Sequence, residues 1–353
     1  MPASAVLCGL GAVVPPQVVT NQSLAERLKT SDEWIYTRTG IKQRHVAGRD
    51  LATSDLALEA GRRALRSAAQ GGVLGADMVV LATVTPDHPC PATAPQVATR
   101  LGLGYVPAFD ISAVCTGFVY ALGVAAGAIA GGLATQVLVI GAETFTTILD
   151  PADRDTAVIF GDGAGAVVLR AGEADELGAL RGFDLGSDGE LNKLIMIPDG
   201  GSRQRASGRP AGPATSYFTM QGKEVFKHAL QRMASSAQAV LRRTGWGIGD
   251  LDWLVGHQAN VRILHAIADQ IGLVRDKVVI NIDRVGNTCA ASIPLALADS
   301  AGTIKAGDRV VLTAFGGGLT WGSTALVWPE LEVAQTDPPD SWHVANQTYR
   351  ETP

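Results

Sequence analysis

Charge is scarce in this chain: Asp, Glu, Lys and Arg make up 18% of the 353 residues, against 46% hydrophobic. That balance excludes disorder over the whole length and leaves enough apolar side chain for a large core. A basic excess is also missing. The formal net charge of -5 argues against a nucleic-acid binder that works by overall attraction. Cysteine occurs four times, as Cys8, Cys90, Cys115 and Cys289, far apart and without metal-type spacing, so no metal is expected. No apolar stretch is long and continuous enough to span a bilayer. The richest, 117–133, is heavy in Gly and Ala and reads as a helix packed on all sides. Met1-Pro2-Ala3-Ser4 lacks a charged region before its apolar strand, so no signal peptide is expected. The expectation is a soluble cytoplasmic protein with reduced thiols.

What is present reads as alternating strands and helices. Apolar runs predict strands near 6–14, 78–84, 108–111, 136–140 and 166–170, then 251–255, 277–282, 309–313 and a closing strand to 327. Periodic stretches predict helices over 53–70, 92–101, 119–130, 221–243, 261–271 and 293–300. Continuous apolar strands such as 78–84 suit a parallel sheet covered on both faces. Phe160-Gly161-Asp162-Gly163-Ala164-Gly165-Ala166 superficially resembles a dinucleotide loop. A strand follows it rather than a helix, so it reads as a glycine turn between two strands. Residues 198–216, rich in Gly, Pro, Ser and Arg, read as a flexible surface loop.

The two halves spell the same order of parts. In each, a helix leads to a strand, a turn, a helix, a second strand, a tight turn, a second helix, and a glycine-rich strand pair. The division expected is 1–171, 172–330 and a polar, mobile tail at 331–353. Cys115 and Asn287 then occupy equivalent strand-to-helix turns, and His257 ends the strand equivalent to 78–84. Helices alternating with parallel strands imply an α/β fold with helical layers on both faces of each sheet.

Cys115 meets the partial positive charge of a helix start, which favours the thiolate. Its alternative is a buried structural cysteine. His257 alone reads equally as a structural or surface histidine, and Asn287 as a turn former. Together the three make a coherent acyl-transfer site: a thiol to take an acyl group, and an imidazole and an amide to donate to a developing oxyanion. The amides of Cys115 and of Gly316-Gly317-Gly318 are candidates for a separate oxyanion hole, since glycine allows close backbone approach. Cys289 competes as nucleophile, but a helix start crowded with small residues suits packing better.

Ala113-Val114-Cys115-Thr116-Gly117-Phe118, His257-Gln258-Ala259-Asn260 and Gly286-Asn287-Thr288 resemble the three catalytic motifs of the β-ketoacyl-acyl carrier protein synthase III family. Asp32-Glu33-Trp34-Ile35-Tyr36-Thr37-Arg38 and Phe315-Gly316-Gly317-Gly318-Leu319-Thr320-Trp321-Gly322 belong to the same pattern, and the resemblance runs over about 7–327. It implies a thiolase-like fold: two duplicated halves in a five-layer αβαβα sandwich, working as a homodimer without a bound cofactor. It also implies a decarboxylating Claisen condensation of an acyl-CoA primer with malonyl-acyl carrier protein. Cys115 would hold the acyl group, His257 and Asn287 would stabilise the enolate, and the amides of Cys115 and Gly317 would hold the tetrahedral oxyanion. By the same resemblance Trp34 and Arg154 sandwich the adenine of CoA, and Arg38 lies near its phosphates. Gly222, Asn260 and Phe315 wall the pantetheine tunnel, and Lys227 and Arg262 meet the acidic carrier protein. Cys90 occupies the place of a residue that reaches into the dimer partner's acyl pocket. A side chain smaller than phenylalanine there implies a primer larger than acetyl. One departure is Asp269-Gln270, where well-studied members carry lysines; the arginines of 203–209 are candidates to compensate. Two other readings stand beside condensation: acyl transfer to an alcohol or amine without decarboxylation, and a non-catalytic partner subunit on the same scaffold.

Overall fold

The computed structural model describes residues 3–333, 337–339 and 342. The chain begins with β1 (Ser4–Val13), β2 (Gln17–Thr20), α1 (Asn21–Leu28), α2 (Asp32–Thr39) and β3 (Gln43–Val46). It continues through α3 (Thr53–Gln70), β4 (Met78–Ala82), α4 (Ala94–Arg100), β5 (Ala108–Ile111), α5 (Gly117–Ala130), β6 (Gln136–Glu143), α6 (Arg154–Ala157) and β7 (Gly163–Gly172). The remainder opens with β8 (Leu180–Ser187), β9 (Ile195–Met196), α7 (Ser202–Ala206), β10 (Thr219–Met220) and α8 (Gly222–Thr244). It closes with β11 (Trp253–Gly256), α9 (Val261–Ile271), α10 (Ile282–Val285), α11 (Ser292–Ser300), β12 (Arg309–Gly316) and β13 (Thr320–Val327).

The repeat is written in the sheet order. One sheet runs β1-β7-β6-β4-β5, with β1 and β7 antiparallel, β7 and β6 antiparallel, and β6, β4 and β5 parallel. The other runs β8-β13-β12-β11, with two antiparallel pairs and then a parallel one. Each strand of the second sheet thus takes the place and sense of one in the first. Helices α5 and α11 contact strands of both sheets, α3 and α4 cover the first sheet, and α8 packs on the second with α9 beside it. That is the five-layer αβαβα arrangement of the thiolase-like fold. The largest apolar cluster lies between the sheets, with Phe118, Val119, Leu122, Ile293 and Leu297 from the two inner helices. The halves meet without a gap. At Gly141 in β6 an added Cβ would stand 2.3 Å from the Ala290 carbonyl oxygen, so only glycine lets the second inner turn lie against this strand.

Several expectations are corrected. The strand at 277–282 is absent: 278–281 makes one parallel bridge, Leu254 to Val278, beside β11. The Gln258 side chain replaces the missing rungs, donating to Val279 O and accepting from Asn281 N and Ile282 N at 3.0–3.2 Å. The glycines of 161–165 do not turn between strands, because Gly163 already opens β7 and β6 ends at Glu143. Helix α5 is not covered all round: Val124, Gly127 and Ala130 are exposed at helical spacing.

The loop 198–216 is closed around buried Asp199, which pairs with Arg209 and accepts from Thr215 Oγ1 and from Gly212 N at 3.0 Å. Of the segment expected to be mobile, the described residues lie against α3. Ser67 donates to Glu332 O and Arg63 to Asp337 O, both at 2.7 Å, and Trp342 packs on the cluster beneath that helix. The rest of 331–353 lies outside the described residues.

Candidate active site

The nucleophile candidate is presented by a strained turn. After β5 the chain enters a single 3-10 turn, Val114–Thr116, that runs directly into α5. Val114 takes φ 48°, a left-handed conformation that costs a β-branched residue on the order of 1–2 kcal/mol. The second half repeats the device: Cys289 takes φ 49° in the turn Cys289–Ala291 that opens α11. The match of Val114 to Cys289 sharpens the expected equivalence. Cys115 corresponds to Ala290, and Asn287 to Ser112, so thiol and amide share equivalent turns at different positions.

Three catalytic candidates converge from separate elements. The Sγ atoms of Cys115 and Cys289 lie 3.7 Å apart, although 174 residues separate them in sequence. His257 is carried at the end of β11, its N–H donating to Thr313 O at 2.8 Å, and its buried Nδ1 has no partner among the described residues. Asn287 is buried and pinned from both sides of its backbone: its N–H donates to Ile159 O, and its carbonyl accepts from Gly161 N, each at 2.9 Å. Its Oδ1 accepts from Cys289 N at 2.9 Å. That bond fixes the amide and leaves the two Nδ2 hydrogens as donors for a ligand.

The Cys115 thiol is held well below its ordinary value, first by the hydrogen bond with Cys289. Burial opposes this shift, while the charge and hydrogen bond of His257 and the residue's own amide reinforce it. Cys289 moves the other way, well above the ordinary value, because it is buried and faces the Cys115 sulfur and Glu143. These opposite shifts make Cys115 the readier of the two thiols to ionise and leave Cys289 as the one that keeps its proton.

Glu143, at the end of β6, is fully buried, and burial pushes its carboxyl up to about 8. It accepts from Thr85 Oγ1 at 2.6 Å, from Thr83 Oγ1 at 3.3 Å and from Val84 N at 3.2 Å. Glu143 and the pairing role of Cys289 were not singled out from the sequence. No local motif marks either, and only the fold brings them to Cys115.

The glycine turn after β12 closes on the same spot. A Cβ at Gly316 would lie 2.9 Å from Cys115 N and 3.1 Å from Thr116 N. At Gly317 it would meet Ile195 and Val114 at 3.1 and 3.2 Å. Thr320 ties the two turns together, its hydroxyl reaching Gly317 O at 3.0 Å and Thr116 Oγ1 at 2.9 Å. Around the thiols lies an apolar cluster of Phe145, Phe160, Phe218, Ile195, Ile197 and Met220. Its three phenyl rings are stacked or edge-on at 4.3–5.2 Å.

A second group gathers at the surface. Arg38 and Arg154 place their guanidinium carbons 4.4 and 4.8 Å from the centre of the Trp34 ring. Asn260 caps α9 by accepting from Arg262 N at 2.8 Å and donates to Arg38 O at 2.7 Å, so it joins α2 to α9. Arg262 follows it, exposed. Phe315 is buried in the core under α8 and α9. Gly222 begins α8, and Lys227, exposed one turn further on, pairs with Glu224 at 2.9 Å. Cys90 stands apart and exposed. Asp269 is neutralised by Arg275 through bonds of 2.6 and 2.9 Å. Arg209, one of the arginines considered as compensation, is committed to Asp199. Among the described residues no group of three His, Cys, Asp or Glu could hold a metal, and no helix is long and apolar enough to cross a membrane.

The family 3-oxoacyl-[acyl-carrier-protein (ACP)] synthase III matches residues 109–189, and its C-terminal family matches 241–328. The chain is 60% identical over 333 residues to beta-ketoacyl-[acyl-carrier-protein] synthase III 5 of Streptomyces coelicolor, covering 94% of this chain and 99% of that protein. To the synthase III of Pseudomonas aeruginosa PAO1 it is 55% identical, over 94% and 98% of the two chains. The crystal structure of a Pseudomonas aeruginosa PAO1 3-oxoacyl-(acyl carrier protein) synthase III superposes with a TM-score of 0.86 at 53% identity, covering 93% and 99%. The priming β-ketosynthase of the R1128 polyketide pathway gives 0.86 at 31% identity, covering 94% and 98%.

Proposed function

The chain belongs to the β-ketoacyl-[acyl-carrier-protein] synthase III family, and on that premise we propose how its residues divide the reaction. The enzyme condenses a primer acyl-CoA with malonyl-acyl carrier protein, losing carbon dioxide and giving a β-ketoacyl-acyl carrier protein. The observation that carries the division of roles is the convergence of the Cys115 sulfur, its thiol held below the ordinary value, with His257 and a fixed amide at Asn287.

Cys115 attacks the thioester carbonyl of acyl-CoA. The tetrahedral oxyanion is held by the N–H groups of Cys115 and Gly317, and coenzyme A leaves as a thiol. The acyl chain lies in the apolar cluster around Phe145, Phe160 and Phe218. Malonyl-acyl carrier protein then enters and loses carbon dioxide. His257 and the Asn287 amide hydrogens donate to the enolate oxygen, and the enolate carbon attacks the acyl-Cys115 thioester. Preorganised donors of this kind, away from water, typically supply the largest share of the rate.

Coenzyme A is held through Trp34, Arg38 and Arg154. Arg154 rests on the indole where adenine would stack, and its side chain is 47% exposed and meets Asp155 at 3.9 Å. Gly222, Asn260 and Phe315 line the way in for pantetheine, and Arg262 and Lys227 face the acidic carrier protein.

The working unit is a homodimer. Strand β5 is the open edge of its sheet, with Phe109 partly and Tyr105 fully exposed near it. An unpaired edge of this kind is a template for pairing with a second copy. Asp110 on β5 accepts from Thr93 N and Ala94 N at 2.7 and 2.8 Å, which anchors the Cys90 loop to that edge. A partner at β5 would therefore meet Cys90, and its small side chain leaves room for a primer larger than acetyl.

The test is intact mass and peptide mapping after incubation with a panel of acyl-CoAs. Acyl adducts on Cys115, absent in Cys115→Ala and fastest with primers above acetyl, support this reading. Loading confined to acetyl-CoA overturns the pocket argument, and loading on another residue overturns the nucleophile.

A further inference from the structure

Cys289 makes and breaks no bond in the reaction above, yet its sulfur lies 3.7 Å from that of Cys115. Both belong to one apolar cluster. Cys115 is half-buried, whereas Cys289 is fully buried. The turns that carry them touch, and residues 114 and 289 share the same left-handed conformation. Glu143, also buried, bears electrostatically on Cys289.

We propose that Cys289 is a resolving thiol: hydroperoxide oxidises Cys115 to a sulfenic acid, and Cys289 converts it to an intramolecular disulfide that switches the enzyme off reversibly. In the first step the Cys115 thiolate attacks a peroxide oxygen, the O–O bond breaks, and the departing oxide leaves as water or alcohol after protonation. In the second step the Cys289 sulfur attacks the Cys115 sulfur. The S–O bond breaks, and the hydroxyl leaves as water with the Cys289 proton. Two thiols are oxidised and one hydroperoxide is reduced.

Closing the bond brings the sulfurs from 3.7 Å to about 2.05 Å, which a side-chain rotation and a small shift of either turn supply. Without a second thiol, a sulfenic acid proceeds to sulfinic and sulfonic acids, which are lost for catalysis. The effect on activity rests on Cys115 being the acyl acceptor; the disulfide itself does not.

The test uses the full-length enzyme, titrated with hydrogen peroxide, quenched with a maleimide and mapped without reduction. The expected result is a loss of about 2 Da, a Cys115–Cys289 linked peptide, and loss of acyl loading that dithiothreitol restores. In Cys289→Ser the same dose should add about 32 or 48 Da at Cys115, and dithiothreitol should restore nothing. Inactivated wild-type enzyme carrying those additions at Cys115 and no linked peptide would overturn the proposal, whether or not the variant folds. A linked peptide with undiminished loading would support the disulfide and overturn the assignment of Cys115 as acyl acceptor.

Discussion

Gly316→Ala places one methyl group against the turn that carries Cys115. Its Cβ would stand 2.9 Å from Cys115 N, 3.1 Å from Thr116 N and 3.2 Å from Cys115 Cβ. Ordinary contact begins at 3.4 Å, so the end of β12 and the Cys115 turn must part by about 0.5 Å. That shift falls on the proposed oxyanion hole, since the Cys115 amide comes from one side of the gap and the Gly317 amide from the other. Removal of one such donor costs about a hundredfold to a thousandfold in rate, or about 2.7–4 kcal/mol. Acyl loading of Cys115, followed by quenched-flow intact mass, should therefore slow by about a hundredfold or more. The dependence on acyl-CoA concentration should change little, because Trp34, Arg38 and Arg154 are untouched.

Gly127→Ala is the matched control. It lies inside α5 with nothing within 4 Å of the added Cβ, so it should gain about 0.5–1 kcal/mol of stability and load at the wild-type rate. A folded Gly316→Ala enzyme that loads within about threefold of wild type would refute the oxyanion-hole reasoning.

Two further predictions concern the buried polar groups. Asn287→Ala should spare acyl loading and slow condensation by about a hundredfold or more, measured as separate half-reactions; equal loss in both would contradict the division of labour. Glu143 carries its proton in the folded state up to about pH 8, whereas an exposed glutamate ionises near 4.3. Between those values the folded state binds more protons than the unfolded one, so wild-type stability falls as pH rises. A glutamine in its place cannot ionise; in thermal melts the Glu143→Gln enzyme should therefore gain on wild type steadily from pH 5 to pH 8, and a constant gap would contradict the buried neutral carboxyl.

Much of the candidate site was legible because its residues sit where local pattern is strongest. Cys115 stands between an apolar strand and a proline-free helix, and His257 and the glycine turn at 316–318 end apolar strands. The order of elements repeats, so the pairing of the two halves could be read as well. What was not legible depends on contacts between distant residues. The 277–282 segment is apolar and β-branched, yet Gln258 takes its rungs and leaves it a single bridge. The 198–216 loop has a flexible composition, but one buried carboxylate, Asp199, closes it. Ala290, not Asn287, stands opposite Cys115, because the repeat is in φ and not in residue type. Glu143 and Cys289 look like ordinary strand-end and small-residue positions until the fold sets them beside the nucleophile.

The central claim is that the acyl group on Cys115 leaves by carbon–carbon bond formation. It is tested most directly by loading the enzyme with an acyl-CoA, removing excess, and adding malonyl-acyl carrier protein while adduct mass and released carbon dioxide are followed together. Acyl-Cys115 should disappear in step with carbon dioxide, one for one, as β-ketoacyl-acyl carrier protein appears. An adduct that persists with malonyl-acyl carrier protein, or that is cleared by an alcohol or amine without carbon dioxide, would contradict it.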